Sequence, residues 1–219
     1  VEDGTLLMGN LQAESYFAPN REQLKEWLKV KPEFDSYEYT RDNLCVLNLR
    51  GGEYASEPAL FLRKKYWTDA MAHKLLPGIP AYHFPVHGDY VTVKNARYLI
   101  ISNSSFACFP AFTSETVQKV IAPKYWARHN VSNGYWASEQ NIYTGFEYLG
   151  RDGKLYDAQA CREELETYRR QSEFFAKHHE KPDGMAYRLG EIQAKAAYTA
   201  YFGGRAVRSL KRRLTGQQK

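Results

Sequence analysis

Two short polar turns carry the residue types best suited to binding a phosphate group. In the first, Asn103, Ser104 and Ser105 follow an apolar run at 98–102 and precede a helix that we predict to begin at Phe106. If the run is a strand, the turn lies at its carboxyl end, where the unpaired amides and positive dipole of the next helix favour an anion. The alternative is that Asn103 or Ser104 simply caps the helix.

The second turn contains an arginine and two glycines. Residues 44–49 form an apolar run that favours a buried strand, and Arg50, Gly51 and Gly52 come directly after it. A guanidinium can bind a diphosphate through two parallel hydrogen bonds, and glycines let the backbone approach a ligand closely. The alternative is a solvent-facing arginine beside a flexible turn. If both turns end parallel strands, they face one crevice, and the sequence predicts a diphosphate site there.

The elements that position these turns follow from hydrophobic periodicity. Strands are predicted at 44–49, 81–84, 98–102 and 117–122. Helices are predicted to begin at Asn20 and Asp157, each as the N-cap, and to occupy 58–73, 90–96 and 106–113. Residues 124–150 are predicted to be a long aromatic loop. Strands that alternate with helices indicate an α/β fold with a mainly parallel sheet. We place a nucleotide-binding region at 1–156 and a helical region with a basic tail at 157–219.

Charge and cysteine content limit the choice of partners and compartment. The chain has a net charge of +5, but residues 205–219 hold six basic and no acidic side chains, so the remainder sums to −1. Nucleic-acid binding requires a basic face on the fold itself, and we therefore expect no nucleic-acid partner. Three widely spaced cysteines, Cys45, Cys108 and Cys161, indicate buried thiols in a reducing compartment.

The basic tail has the pattern of an interfacial helix. Val207, Leu210 and Leu214 share one helical stripe, and basic residues surround it. No apolar stretch is long enough to cross a bilayer, and the amino end lacks a signal-peptide pattern. We therefore expect a cytoplasmic protein with peripheral contact, through 205–219, at the inner face of the cytoplasmic membrane. The alternative is a solvated, frayed terminus.

Four motifs in chain order resemble those of the family 11 glycosyltransferases, which include the α-1,2-fucosyltransferases. Residues 48–54 are similar to the family's His-x-Arg-Arg-x-Asp-Tyr motif, and residues 103–106 to its Asn-Ser-Ser/Thr-Phe turn. Residues 122–126 resemble its Ala-Pro-Lys/x-x-Trp segment, and residues 12–17 its Gln-Ser-x-x-Tyr-Phe stretch. The resemblance extends over about 11–155.

The resemblance implies a GT-B-like architecture whose Rossmann-like half binds a nucleotide sugar, such as GDP-fucose. Arg50 would contact the diphosphate, the two serines the β-phosphate, and Asp89, fifteen residues ahead of the serine pair, the nucleoside. The implied donor-binding residues are Arg50, Asp89, Asn103, Ser104, Ser105, Phe106 and Lys124. The family's amino-terminal strand with a Gly-rich turn does not occur in this sequence, so we expect the chain to be part of a longer enzyme.

The implied reaction is metal-independent and inverting. Asp-x-Asp, which holds the metal in many glycosyltransferases, does not occur, and His87, His178 and His179 have no partners at metal-ligand spacing. We therefore predict no metal and no cofactor besides the donor, with Arg50 and the helix start stabilising the leaving diphosphate. Glu53 is the first candidate for the base that inversion requires.

The aromatic loop and its surroundings supply candidates for the acceptor site. These are Tyr54, Trp126, His129, Trp136 and Glu139, of which His129 and Glu139 are also reserve candidates for the base. The alternative is that the loop merely packs over the sheet. We expect transfer of a sugar to a glycan or lipid-linked glycan in the synthesis of a bacterial surface polysaccharide such as O-antigen. A catalytically inactive nucleotide-sugar or glycan-binding module is the alternative, because Asn48 and Gly51 replace the motif's His and second Arg.

Overall fold

A five-stranded sheet forms the centre of the fold, and its strands follow one another in chain order. A computed structural model describes residues 12–52, 54, 60–72, 84–125 and 141–171, together with the helical residues 189, 192, 196 and 199. The strands are β1 Cys45–Asn48, β2 Tyr98–Ile101, β3 Lys119–Pro123, β4 Phe146–Leu149 and β5 Leu155–Asp157. The first four are parallel and β5 is antiparallel to β4. The predicted α/β fold with a mainly parallel sheet is confirmed.

Helices cover both faces of this sheet. They are α1 Arg21–Trp27, α2 Lys64–Ala72, α3 Val86–Lys94, α4 Ser105–Thr113 and α5 Ala158–Gln171. Leu99 and Ile101 of β2 pack in one apolar cluster with residues of α3, α4 and α5. Ile100, between them, packs in a second cluster with Tyr66 and Ala70 of α2. Because successive strand residues point to opposite faces, α2 lies on one face, and α3, α4 and α5 lie on the opposite face.

Burial on both faces explains why β1 to β3 could be predicted as continuous apolar runs. Ile100, Ile101 and Ile121 are at most 1% exposed, and burial of such a side chain contributes roughly 1.5–3 kcal/mol. Parallel strands with two covered faces have no solvent side to interrupt the run.

Only one of the two predicted N-caps makes a capping hydrogen bond. The Asp157 carboxylate accepts a hydrogen bond from the Ala160 amide at 2.7 Å, which confirms the predicted cap of α5. Asn20 precedes α1, but its side chain makes no capping hydrogen bond. Instead, Arg21 donates from Nη2 to the Phe112 carbonyl oxygen of α4 at 2.8 Å and thereby fixes the start of α1.

The helix predicted at 90–96 begins earlier, at Val86. Pro85 occupies the N-cap position with φ of −55°, and the Phe84 amide donates to Asp89 Oδ1 at 3.4 Å. Gly88 lies in the first turn against Phe84, where a Cβ atom would come within 2.9 Å of the Phe84 Cβ. Glycine disfavours a helix by propensity, but here its small size permits the packing that forms the first turn.

The predicted loop at 124–150 is wrong at its carboxyl end, where β4 lies, and β5 was not predicted. Both strands are short, and Glu147 pairs with Asp157 across their antiparallel ladder. α5 packs in the same apolar cluster as the sheet through Cys161 and Leu165. The proposed boundary between 156 and 157 stays a prediction.

Candidate functional site

The two turns that the sequence singles out lie side by side at the carboxyl edge of the sheet. Asn48 at the end of β1 is paired in register with Ile101 at the end of β2. Arg50 and Asn103 each follow these residues by two positions. The register of the parallel strands therefore places both turns at one edge, as the sequence predicts.

Three hydrogen bonds fasten the chain after β1 to the turn after β2. The Ser102 hydroxyl donates to Asn48 Oδ1 at 3.0 Å, and the Tyr54 hydroxyl donates to the Asn103 carbonyl oxygen at 3.2 Å. The Asn103 side-chain amide donates to the Leu60 carbonyl oxygen at 2.9 Å. With roughly 1 kcal/mol for each neutral hydrogen bond, these contacts make the two turns one structural unit.

Arg50 is the exposed cation of this unit. Its guanidinium carbon lies 5.4 Å from the centre of the Tyr54 ring, in a cation–π contact. Since the Tyr54 hydroxyl is bound to the Asn103 carbonyl, one side chain joins the Arg50 charge to the serine turn. Gly52 has φ of +54°, a left-handed conformation that glycine adopts without strain and that turns the chain back toward Tyr54.

The amino end of α4 presents backbone donors at this edge. Ser104 is the N-cap residue in an extended conformation, and its side chain makes no capping hydrogen bond. Its carbonyl oxygen accepts the amides of Ala107 and Cys108, each at 3.0 Å. The amides of Ser105 and Phe106 precede these in the first turn, where a helix offers no internal acceptor. The hydrogen bonds of the Ser104 and Asn103 side chains therefore do not support the alternative that one of them caps the helix.

Asp89 lies at the same edge. Tyr90, the next residue and the middle one of α3, contacts Phe106 in the first turn of α4 with ring centres 6.0 Å apart. The Asp89 carboxylate accepts the Phe84 amide at the start of its own helix, where a negative charge is favourable. Its predicted contact with a nucleoside stays a prediction.

Lys124 follows β3 and is directed to α5. It is 5% exposed, and its Nζ lies 2.5 Å from Glu164 Oε2 and 3.6 Å from the centre of the Tyr156 ring. The Tyr125 hydroxyl donates to the other Glu164 oxygen at 2.6 Å. Burial first, and the Glu164 hydrogen bond second, raise the pKa of Tyr125 well above its usual value, so the hydroxyl remains a donor. We call these four residues, Lys124, Tyr125, Tyr156 and Glu164, the lysine cluster.

Sequence reasoning missed two residues that shape the edge. Glu164 is separated from Lys124 by forty positions and lies in a helix rich in charged residues, so no local signal marks it. Tyr66 of α2 is 3% exposed and donates to the Ile101 carbonyl oxygen at 2.7 Å. Burial raises its pKa well above the usual value, which keeps the hydroxyl protonated.

Several predicted site residues lie outside the described residues: Glu53, Trp126, His129, Trp136, Glu139 and the tail at 205–219. Among the residues that are described, no group of three histidine, cysteine, aspartate or glutamate side chains is placed to hold a metal ion. Within the same part of the chain, no helix combines the length and the apolar character needed to cross a membrane.

Comparisons with known proteins yield no relative. No protein-family model matches the sequence, and neither a curated protein nor a solved structure matches it significantly.

Proposed function

We propose that the chain is a metal-independent, inverting glycosyltransferase that binds the diphosphate of a nucleotide sugar at the carboxyl ends of β1 and β2. The observation that carries this proposal is the Tyr54 link, which joins the Arg50 cation to the turn that opens α4. A cation on one side and helix amides on the other form the environment that a diphosphate requires.

Each part of this site contributes to donor binding in a different way. The Arg50 guanidinium is a fork of donors that binds two phosphate oxygens at once. The Ser105 and Phe106 amides and the α4 dipole act on the opposite side of the phosphates. Because the hydrogen bonds of Tyr54 and Asn103 hold both parts before a ligand arrives, little ordering remains to be done on binding.

The chemistry follows from the charge that develops on the leaving group. The bond between the anomeric carbon and the diphosphate oxygen breaks as the acceptor hydroxyl oxygen bonds to that carbon from the opposite side. Arg50 and the α4 amides stabilise the departing diphosphate, and the proton of the acceptor hydroxyl passes to a base, for which Glu53 is the candidate.

The finer assignments are part of the same proposal. They are a GT-B-like arrangement, a GDP-linked donor such as GDP-fucose, and a glycan or lipid-linked glycan acceptor from bacterial surface polysaccharide synthesis. The four family motifs support them, and the parallel sheet flanked by helices is compatible with the Rossmann-like half of such an enzyme.

A thermal-shift screen of nucleotides and nucleotide sugars tests the donor site. We expect selective stabilisation by a guanosine diphosphate species and loss of that stabilisation in Arg50→Ala. Hydrogen bonds to a charged group contribute about 1.5–3 kcal/mol, so affinity should fall by about 10- to 100-fold.

Arg169→Ala is the matched control, because Arg169 lies on α5, paired with Glu166, and its removal takes away the same charge. Its response to the nucleotide should equal that of the unmodified protein. Equal shifts from every nucleotide, or an unchanged response in Arg50→Ala, would contradict a donor site at this edge.

A nucleotide-sugar-binding module without turnover is the second candidate. Gly51 stands where the resembling family has a second arginine, and Lys124 is paired with Glu164. Both observations reduce the positive charge available to a leaving group. Such a module would show the thermal shift but neither hydrolysis nor transfer of the sugar, whereas an enzyme would show both the shift and turnover.

A further inference from the structure

A cavity of about 310 Å³ lies at the amino edge of the sheet, opposite the proposed donor site. Lys119 and Phe146, the first residues of the parallel strands β3 and β4, line it. Ala111 and Phe112 near the carboxyl end of α4, and Arg21 at the start of α1, also line it. We call it the amino-edge cavity. Its volume is at the lower end of the roughly 300–1,000 Å³ of small-molecule sites, so it suits a ligand built around one ring.

The buried part of the cavity lining is apolar. Ala111, Phe112, Val120 and Phe146 are each at most 5% exposed, and all four belong to the main apolar cluster of the fold. Val117 packs against the same cluster and is half-buried. A wall of this kind favours the ring or alkyl part of a ligand, because contact with it removes apolar surface from water.

Arg21 is fixed beside this wall, and part of its guanidinium remains available. Its Nε and Nη2 donate to the Phe112 carbonyl oxygen at 3.2 and 2.8 Å, and its guanidinium carbon lies 4.8 Å from the centre of the Phe112 ring. A guanidinium has five N–H donors, so both hydrogens of Nη1 and one of Nη2 are left. In the described part of the chain these hydrogens make no hydrogen bond, and no carboxylate lies within ion-pair distance of Arg21.

The other charged and hydroxyl groups of the lining are engaged within the protein. Lys119 Nζ lies 2.5 Å from Glu147 Oε2. The Ser114 and Thr144 hydroxyls each donate to an acceptor outside the lining. Gln118 is exposed, and among the described residues nothing binds its side-chain amide. The groups left for a ligand are therefore one cation and one amide, too few for the several hydroxyl groups of a neutral sugar.

We propose that the amino-edge cavity binds a small organic acid with an apolar ring. The carboxylate accepts hydrogen bonds from Arg21 Nη1 and Nη2, and the ring lies against Phe112, Val120 and Phe146. Because the Phe112 carbonyl oxygen already holds Arg21, little side-chain freedom is lost on binding. This site is separate from the proposed donor site and does not depend on sugar transfer.

The test compares three probes on the full chain. Phenylacetate has both the carboxylate and the ring, phenylacetamide has the ring without the charge, and acetate has the charge without the ring. We expect calorimetry to show that phenylacetate binds at least tenfold more tightly than either of the others, which corresponds to about 1.4 kcal/mol. Amide chemical shifts in an NMR titration should change at Val117 and Gly145, which both line the cavity.

Arg21→Gln should weaken phenylacetate binding at least tenfold, to the level of phenylacetamide, because the charged donor is lost. Lys25→Gln is the matched control. It removes one charge from the same helix, but Lys25 pairs with Glu22 and Glu115 and does not line the cavity. Its affinity for phenylacetate should equal that of the unmodified protein.

A second variant tests the cavity without touching Arg21, whose replacement also removes the hydrogen bonds between α1 and α4. Val117→Phe places a larger apolar side chain at the half-buried part of the lining and keeps every charge. It should abolish binding of phenylacetate, whereas Val117→Ala should retain it.

Three results would overturn the inference. They are equal binding of phenylacetate and phenylacetamide, no binding of phenylacetate, and binding that is unchanged in both Arg21→Gln and Val117→Phe. Arg50→Ala separates this site from the donor site, since it should leave phenylacetate affinity unchanged. Loss of phenylacetate binding in Arg50→Ala would assign the carboxylate to the donor site and refute the amino-edge site, while the nucleotide response of Arg21→Gln tests the donor proposal independently.

Discussion

Two places on the carboxyl edge, beside β1 and beside β3, hold a basic residue in opposite ways. Beside β1, Arg50 is exposed and rests on the Tyr54 ring. Beside β3, Lys124 is 5% exposed and its ammonium is bound by Glu164 and by the Tyr156 ring. Both cations follow a parallel strand by one or two positions, and both were predicted from the sequence to bind the donor.

The difference shows that position at a strand end does not decide whether a cation is exposed or is buried and paired within the protein. A buried charge requires a partner within the protein, since its removal from water is otherwise unfavourable. Lys124 finds that partner on α5, far away in sequence. Arg50 is exposed to water and contacts the Tyr54 ring.

The largest effect is expected when the lysine cluster loses its acid. Glu164→Gln leaves the Lys124 ammonium, 6% exposed, without a charged partner, whereas Glu164 itself is 39% exposed. Loss of one partner of a fully buried pair costs 3–5 kcal/mol, and solvent access at Glu164 reduces this to about 2 kcal/mol of unfolding free energy. Urea denaturation measures the change.

The adjacent Glu163→Gln is the control for this prediction. Glu163 is exposed and accepts a hydrogen bond from Gln159, so its effect should stay within about 0.5 kcal/mol. Nucleotide binding should be unchanged in both variants. A gain in nucleotide affinity in Glu164→Gln would mean that Lys124 is a donor ligand after all, and the contrast between the two places would fail.

The second-largest effect on stability is expected from a matched pair of tyrosine variants. Tyr54→Phe removes the hydrogen bond to the Asn103 carbonyl, and Tyr125→Phe removes the hydrogen bond to Glu164. Each should cost about 1 kcal/mol of unfolding free energy. Only Tyr54→Phe should also weaken nucleotide-sugar binding, severalfold, because it separates the Arg50 loop from the serine turn. Calorimetric titration of both variants with the nucleotide sugar measures the two affinities. An equal loss of affinity in the two variants would refute the proposed Tyr54 link between Arg50 and the serine turn.

The smallest effect concerns acid stability beside the lysine cluster. The Tyr156 hydroxyl donates to Asp152 and lowers the pKa of that carboxyl below its usual 3.8; the same hydrogen bond is the main cause that raises the pKa of Tyr156 to about 12. A lowered folded pKa stabilises the protein above pH 4 and the effect disappears as pH falls through the folded value.

Tyr156→Phe keeps the ring under Lys124 but removes this hydrogen bond. The Asp152 pKa, measured by carboxyl NMR titration, should rise toward its ordinary value. The accompanying change in acid stability should be small, because Asp152 is exposed. An unchanged Asp152 pKa would show that the hydrogen bond does not form in solution.

The sequence predicts the half of the fold that is apolar and continuous. The runs before Arg50 and Asn103 become β1 and β2 because both of their faces are buried. β4 and β5 escape prediction because polar side chains such as Glu147 interrupt their apolar residues, and because pairing with neighbouring strands holds them in the sheet, β4 with β3 and β5, and β5 with β4. A strand that forms mainly because it pairs with its neighbours cannot be recognised from its own residues.

The candidate site, like the fold, could be predicted from the sequence only in part. Arg50 and the serine turn are visible because residue type and local order suffice to mark them. The Tyr54–Asn103 hydrogen bond spans 49 positions and the Lys124–Glu164 pair spans 40, so each depends on how the helices pack. Long-range pairing of this kind decides how each side chain is held, and it cannot be read from local sequence.

The Tyr66 hydroxyl has a consequence for how this molecule can move. It touches the last carbonyl of β2 and lies near a carbonyl of β3, deep beneath α2. A displacement of α2 along the strands by one helical turn, about 5.4 Å, would pull this hydroxyl away from both oxygens. The two carbonyl contacts of Tyr66 therefore oppose any sliding of α2 along the strands.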